Sequence, residues 1–120
     1  MLTIETDDGR TEYYPGDTIE GTLHWSFDEG LSGIELQAAW TTRGKGGTDT
    51  TIVDSIFLET PAARGDKRFR LRLPDQPYSF SGKLISVLWF LKAIAKPMEQ
   101  EIELPLVVSP TLREIVINKG

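Results

Sequence analysis

The sequence predicts an all-β protein, either a sandwich or a barrel, on two observations. Turn-forming residues recur at short intervals, at positions 7–9, 14–17, 28–30, 44–47, 61–66, 74–82 and 97, and such spacing is typical of many short strands. Between these turns, apolar and polar residues alternate with the period of two that buries one face of a strand. We therefore expect strands throughout the chain.

The first strand is predicted at 2–6, and the clearest one at 18–27. In the latter an apolar face alternates without a fault with a polar face, and the apolar face holds Ile19, Gly21, Leu23, Trp25 and Phe27. A strand at 33–43 follows, with Ile34, Leu36, Ala38 and Trp40 facing inward and Glu35, Gln37 and Thr41 on its other side. The glycine-rich segment 44–47 then predicts a hairpin turn.

The second arm of this hairpin is predicted at 50–60, with Ile52, Ile56 and Leu58 in phase. The strand after it, 66–73, sets Phe69, Leu71 and Leu73 against three arginines, Arg68, Arg70 and Arg72. Alternate residues of a strand lie about 7 Å apart, so these arginines form a candidate stripe for anions or for a partner. The alternative is cross-strand pairing with Glu20, Glu35 or Glu103.

Segment 83–96 fits a buried helix or a buried strand, and we predict a strand. Every second residue from Ile85 to Ala95 is apolar, and Pro97 ends the segment. The opposite face is also apolar, with Leu84, Leu88, Phe90 and Ile94. Either a loop or the C-terminal segment covers this face, or it is a partner surface. Further strands are predicted at 100–109 and 112–117.

Length and composition predict one globular domain over residues 1–120. Hydrophobic residues make up 39% of the chain and charged residues 26%, an ordinary balance for a folded domain, and a two-domain enzyme with an interdomain cleft is not expected. The chain has no cysteine, which excludes disulfides and thiolate zinc sites. We expect a cytoplasmic protein, since this pattern suits a reducing compartment.

Charge and hydropathy argue against two classes of partner. The net charge is −5, which disfavours general binding to nucleic acid or to anionic membranes. The first residues show no signal peptide. The most apolar stretch, 84–95, is shorter than the roughly 20 residues that a membrane-spanning helix needs. We expect neither nucleic acid binding nor membrane insertion.

No constellation of catalytic residues is apparent in the sequence. The chain has one histidine, His24, which is predicted on the polar face of a strand, so neither a nucleophilic triad nor a zinc site is expected. The acidic pairs at 7–8 and 28–29 lie in predicted turns, where aspartate is favoured. Segment 64–66 reads Arg-Gly-Asp and is interpreted as a tight turn entering a strand. We expect no enzyme activity, metal or cofactor.

Several motifs, taken in order, resemble the arrestin-like family. Residues 14–23 resemble its early Pro-Gly-Asp turn, which leads into a core strand with a glycine, and 33–36 resemble the start of its next strand. Residues 69–74, 77–82 and 85–93 then match its "F-x-hydrophobic-P, P-x-S-F-x-G, strand" block. The signature residues are Pro15, Gly16, Asp17, Gly21, Pro74, Ser79, Phe80 and Gly82. The resemblance extends over about residues 12–97.

The resemblance implies an immunoglobulin-like antiparallel β-sandwich, as in arrestins, the arrestin-fold subunit of retromer and bacterial sporulation-control proteins. It also implies a protein-binding adaptor or scaffold rather than an enzyme. The chain can hold only one sandwich where arrestins join two, so self-association is one way to restore the missing interface. Receptor phosphate sensing is not carried over, because 2–5 lack the family's lysines. The alternative is binding of a small ligand or carbohydrate by end loops, with Tyr13, Tyr14, Tyr78 and Phe80 as stacking groups.

Overall fold

A computed structural model of the chain describes residues 1–44, 46–82, 84–112 and 115–116. These described residues form ten strands and one short 3-10 turn, Asp7–Gly9. The strands are β1 Leu2–Thr6, β2 Glu12–Tyr13, β3 Thr18–Ser26, β4 Gly33–Gly44, β5 Gly47–Glu59, β6 Arg64–Arg72, β7 Phe80–Ser81, β8 Ile85–Lys96, β9 Gln100–Val108 and β10 Ile115–Val116. The predicted all-β class is confirmed.

The small sheet has three antiparallel strands in the order β1-β3-β6. Alternate residues of β3 are buried, among them Ile19, Leu23 and Trp25, so the predicted faces of this strand are confirmed. In β6, Phe69 and Leu71 are buried against the same core. Burial of a large apolar side chain contributes about 1.5–3 kcal/mol relative to its exposure, so this face holds the sheet in place.

The large sheet has the strand order β10-β7-β8-β4-β5. In addition, β9 pairs with β8, and β2 pairs with β9. Strand β8 pairs antiparallel with β4 along its whole length, from Gly33 beside Lys96 to Gly44 beside Ile85. The choice of a strand over a helix for this segment is therefore confirmed. Its inward residues from Val87 to Ala95 are buried, whereas Ile85 is 47% exposed at the end of the sheet.

The hairpin between β4 and β5 contains a bulge that the sequence did not predict. The register shifts between Ala38 and Ala39, which pair with Asp54 and Ile52, so Val53 is the extra residue. A bulge moves the following residues to the opposite face. Val53 therefore packs against the core, and the prediction that Ile52 lies in phase with the inward residues of β5 is wrong, since Ile52 is 50% exposed.

The pairing refines two further predictions and shows a strand that was not predicted. Residues 64–66 lie within β6, paired with Ser26, Trp25 and His24, so they form part of a strand rather than the turn before it. Strand β2 was missed, because its two residues are too few for a period to show. Of the strand predicted at 112–117, β10 is seen as a parallel partner of β7, while 113, 114 and 117 lie outside the described residues.

The two sheets enclose one hydrophobic core, to which both contribute their largest buried side chains. Trp89 from the large sheet and Ile19 and Leu71 from the small sheet are among those with almost no exposure. The outward faces of the two sheets lie outside this core and remain available for a functional site.

Candidate interaction surface

The outer face of the large sheet carries a groove with a volume of about 590 Å³. Strands β4, β8 and β9 lie side by side here, so that Gln37 pairs with Lys92 and Lys92 with Glu103. The side chains that line the groove include Gln37, Thr41, Leu88, Phe90, Lys92 and Pro105. The volume lies within the range typical of ligand sites, about 300–1,000 Å³. We call this feature the outer groove.

Leu88 and Phe90 are the apolar residues of β8 in the outer groove, and both are half-buried. Their burial comes from the neighbouring strands of the same sheet: Phe90, for example, lies in register between Ala39 and Pro105. The groove opens above them, so no described segment of the chain fills this space. Apolar surface left open in this way is typical of a binding surface.

The four residues predicted as one apolar face are not all brought together. Leu88 and Phe90 line the outer groove, but Leu84 precedes β8 and is 75% exposed. Ile94 lies further along β8, between Glu35 and Glu101 in register, and does not line the groove. Sequence reasoning missed Gln37, Thr41 and Pro105 as partners of this face, because cross-strand register was needed to place them there.

Lys92 is the cation at one end of the outer groove. Its Nζ lies 3.2 Å from Glu101 Oε1 and 3.8 Å from Glu103 Oε1, and its side chain is only 24% exposed. Glu103 is the residue of β9 that pairs with Lys92, and Glu101 lies two residues further along the same strand. The charge of Lys92 is thus balanced within the protein and is not offered as an unpaired site for an anion.

The arginine stripe lies on the outer face of the other, small sheet. Arg68 donates two hydrogen bonds to the Asp7 carboxylate, at 2.6 and 2.8 Å, and Arg70 Nε lies 3.0 Å from Glu20 Oε1. The hydrogen bonds from Arg68 lower the pKa of Asp7, and the same contact raises the pKa of Arg68. Glu20 was one of the three predicted partners, but Asp7 was not predicted.

The stripe's role in binding an anion or a partner stays a prediction. Two of its three guanidinium groups are already paired, and the backbone N–H of Arg72 donates to Asp54 Oδ2 at 3.0 Å. The side chain of Arg72 makes no ion pair within the described part of the chain. Exposed pairs of this kind are screened by solvent and contribute little to stability, so a strongly bound anion could compete for them.

The four aromatic residues of the alternative ligand site differ in exposure. Tyr13 is 2% exposed and its hydroxyl donates to the Arg10 carbonyl at 2.9 Å, so the prediction that it stacks on a ligand is wrong. Its ring belongs to the core and is capped by Arg10, whose guanidinium carbon lies 4.4 Å from the ring centre. Tyr14 and Tyr78 are exposed, and Phe80 packs partly against the core.

Replacing Tyr13 by phenylalanine should cost about 1 kcal/mol of stability at neutral pH, the usual worth of one hydrogen bond. Burial raises the pKa of Tyr13 above its ordinary value of 10.0. The stability that its protonated hydroxyl provides is therefore complete below about pH 10 and lost as the pH rises through the folded-state pKa. Urea unfolding at about pH 8 and pH 11 should show the difference between wild type and Tyr13→Phe shrinking at the higher pH.

Tyr14→Phe is the matched control, since Tyr14 is 47% exposed. We expect this variant to follow the wild type at both pH values. Parallel pH curves for the wild type and Tyr13→Phe would contradict the assignment of alkaline sensitivity to Tyr13.

The signature turn at 14–17 is held to the end of β6 by backbone and side-chain hydrogen bonds. Gly16 has a φ of 83°, which favours glycine, and its N–H donates to the Pro74 carbonyl at 3.0 Å. Asp17 Oδ2 accepts from the Tyr14 N–H and from Arg10, both at 2.9 Å. Pro15 lies in the bend between Tyr14 and Gly16. These residues shape the fold and do not line the outer groove.

The second group of signature residues fastens the segment before β8. Ser79 is 1% exposed, and its Oγ accepts from the Val108 N–H at 2.9 Å while its own N–H donates to the Val108 carbonyl. Phe80 follows in β7, and Gly82 comes after that strand.

Across the described residues, no group of three or more histidine or acidic side chains could hold a metal ion. Nor is any described helix long and apolar enough to cross a bilayer.

Comparison with known proteins gives a match at the level of structure. No family model and no curated protein matches the sequence. The chain is similar to the crystal structure of Spo0M, a sporulation control protein from Bacillus subtilis, with a TM-score of 0.66 and 16% identity. The match covers 90% of this chain and 48% of Spo0M, so the chain spans about half the length of that protein. The likeness confirms the predicted arrestin-like sandwich fold.

Proposed function

We propose that this protein is a non-catalytic interaction module that binds a partner protein through the outer groove. The observation that carries the proposal is the position of Leu88 and Phe90, which are apolar and accessible on the outside of a complete sheet. A solvated face of an antiparallel sheet is normally polar. Apolar residues on such a face are explained if a partner covers the outer groove in a complex.

The similarity to Spo0M supports a regulatory rather than a metabolic role. Spo0M is described as a sporulation control protein, and it shares this fold over 90% of the present chain. The fold alone does not define a function, so the proposal depends on the outer groove. The histidine of the chain supports no competing enzyme: His24 Nε2 lies 3.6 Å from Glu5 on the small sheet and does not line the groove.

A stable complex needs more contact area than the outer groove alone provides. Specific interfaces bury roughly 1,200–2,000 Å² in total. We therefore expect the partner to cover neighbouring parts of the large sheet as well, including the exposed Ile52 and Phe57 of β5. A second copy of this chain is one partner that would fit, and self-association is read directly by the experiment below.

Site-specific photocrosslinking in the cells that produce the protein tests this proposal. Thr48 is exposed at one end of the outer groove, and Thr48→p-benzoylphenylalanine should give discrete protein adducts on irradiation. Combining it with Leu88→Ser and Phe90→Ser should remove these adducts, because the apolar contacts of the groove are lost. Adducts of twice the chain mass would identify self-association.

The control places the same photoreactive group at Lys67, which is exposed on the small sheet. This variant should give no discrete adduct. Circular dichroism should show that the double serine variant remains folded, since neither Leu88 nor Phe90 belongs to the buried core. Equal adduct patterns from Thr48 and Lys67, or none from either, would contradict the proposed function.

A further inference from the structure

Gln37 is a largely buried polar residue whose side chain lines the outer groove. It is only 8% exposed, and its side-chain amide makes no hydrogen bond to any residue that the structure describes. No fully enclosed side-chain nitrogen or oxygen among the described residues lacks a partner, so the accessible atoms of this amide must face the groove. Water reaches these atoms in the free protein, and a ligand that pairs with the amide in place of water gains the net contribution of one hydrogen bond.

The chemistry of this amide limits what can bind it. A glutamine side chain offers one carbonyl acceptor and one NH₂ donor group. A peptide group in an extended chain offers the complementary N–H and C=O. Thr41 lies four residues after Gln37 on the same face of β4. It is not available to pair with a ligand, because its hydroxyl already shares a hydrogen bond of 2.9 Å with Thr50.

An extended chain suits the outer groove better than a helix. The walls of the groove include residues from Leu88 to Lys92 and from Glu103 to Val107, a length of about 14 Å at the rise of a strand. An extended segment of this length leaves its peptide N–H and C=O groups free to pair with the Gln37 amide, whereas a helix uses these groups for its own internal hydrogen bonds.

Charge also restricts the occupant. The groove lining holds two cations, Arg43 and Lys92, and two acids, Glu12 and Glu103. Lys92 is held by Glu101 and Glu103, so the lining presents no net charge to a ligand. The middle of the groove, at Leu88, Phe90 and Pro105, is apolar. An uncharged segment with apolar side chains matches this middle part of the groove, while a charge placed there would lose hydration without gaining a partner.

We propose that the outer groove binds an extended, uncharged, apolar peptide segment of the partner protein, with the Gln37 amide hydrogen-bonded to one of its peptide groups. This inference rests on the proposed function and names the partner's contact segment. About four residues of the segment lie in the groove, given its length of about 14 Å. Their alternate side chains contact Leu88 and Phe90, and the intervening ones face outward.

Selection from a phage-displayed library of random 12-residue peptides tests this inference with the purified wild-type protein as bait. We expect enrichment of sequences with apolar residues at alternate positions and without charge over about four residues. The selected sequence is then synthesised, and its affinity is measured by fluorescence anisotropy. A second synthesis carries N-methyl groups on the backbone of the apolar stretch, which removes its N–H donors.

Gln37→Leu should weaken binding of the selected peptide about tenfold, the effect of losing about 1.4 kcal/mol of hydrogen bonding. N-methylation should weaken binding to the wild type by a similar factor and have little further effect on Gln37→Leu. Gln100→Leu, the same change at an exposed position of β9 outside the groove lining, is the control and should bind as the wild type.

Each contrary outcome has a definite meaning. Failure to enrich any peptide, or peptides that bind Gln37→Leu as tightly as the wild type, overturns the inference. Selection of helical or charged sequences overturns it too. If the photocrosslinks at Thr48 persist in such a case, the protein still binds a partner on this face and only the peptide mode is wrong. If the photocrosslinks are absent as well, both the peptide inference and the proposed function are wrong.

Discussion

Replacing Gly21 by alanine is expected to lower the free energy of unfolding by about 3 kcal/mol or more, the upper part of the range for overpacking. Gly21 lies in the middle of β3 and pairs with Thr6 on one side and Phe69 on the other. A Cβ atom here would overlap the carbonyl oxygen of Glu5 and lie 2.9 Å from Thr6 Cα. Both are backbone atoms, so no side-chain rotation relieves the clash.

Urea unfolding monitored by tryptophan fluorescence measures this effect. Gly46→Ala is the control, because a Cβ atom at Gly46 meets nothing within 4 Å, and a change within ±0.5 kcal/mol is expected there, as for most surface substitutions. A loss below about 1 kcal/mol for Gly21→Ala would mean that β1 can move away from β3 at little cost. The close approach of these strands would then not be what requires glycine.

Trp89→Ala is expected to have a comparable effect, a loss of about 3–5 kcal/mol, as is usual for removing a large aromatic side chain from a core. Trp89 is 1% exposed in the centre of β8. Its Nε1–H donates to the Pro77 carbonyl at 3.0 Å, so it also fastens the segment that leads into β7. The substitution leaves both a cavity and an unpaired carbonyl.

Two further variants separate these contributions. Trp89→Phe keeps most of the burial but loses the hydrogen bond, and we expect an intermediate loss of about 1–3 kcal/mol. Trp40→Ala removes a half-buried tryptophan that pairs with Trp89 from β4, and it should cost less than Trp89→Ala. If Trp40→Ala were the more harmful change, the centre of the core would lie closer to β4 than the burial of these residues indicates.

The element boundaries show how far alternation in the sequence can be trusted. Strand β3 was predicted at 18–27 and extends over Thr18–Ser26, with the expected inward face. The segment that became β5 has the same apolar character, but Val53 is inserted as a bulge and Ile52 is left half-exposed. A bulge depends on how two strands pair and twist, so the apolar pattern of one strand does not predict it.

The candidate site was predicted in part. Leu88 and Phe90 were recognised because apolar residues on both faces of a strand are unusual in an antiparallel sheet. Gln37 was placed on the outer side of its strand but was not recognised as part of the site. Its importance depends on its place beside Leu88 and Phe90 in the groove lining and on the lack of a hydrogen-bond partner among the described residues, both of which are properties of the assembled sheet.

The sequence by itself determined the fold class, the positions of most strands along the chain and most of the faces that enter the core. It could do so because burial of alternate residues and the turn chemistry of glycine, proline and aspartate act over a few neighbouring positions. The tertiary structure alone decided which outward residues meet: it put Leu88 and Phe90 beside Gln37, paired Arg68 with Asp7 and buried Tyr13. Each of these depends on contacts between residues distant in the chain, whose register is set only when the two sheets pack.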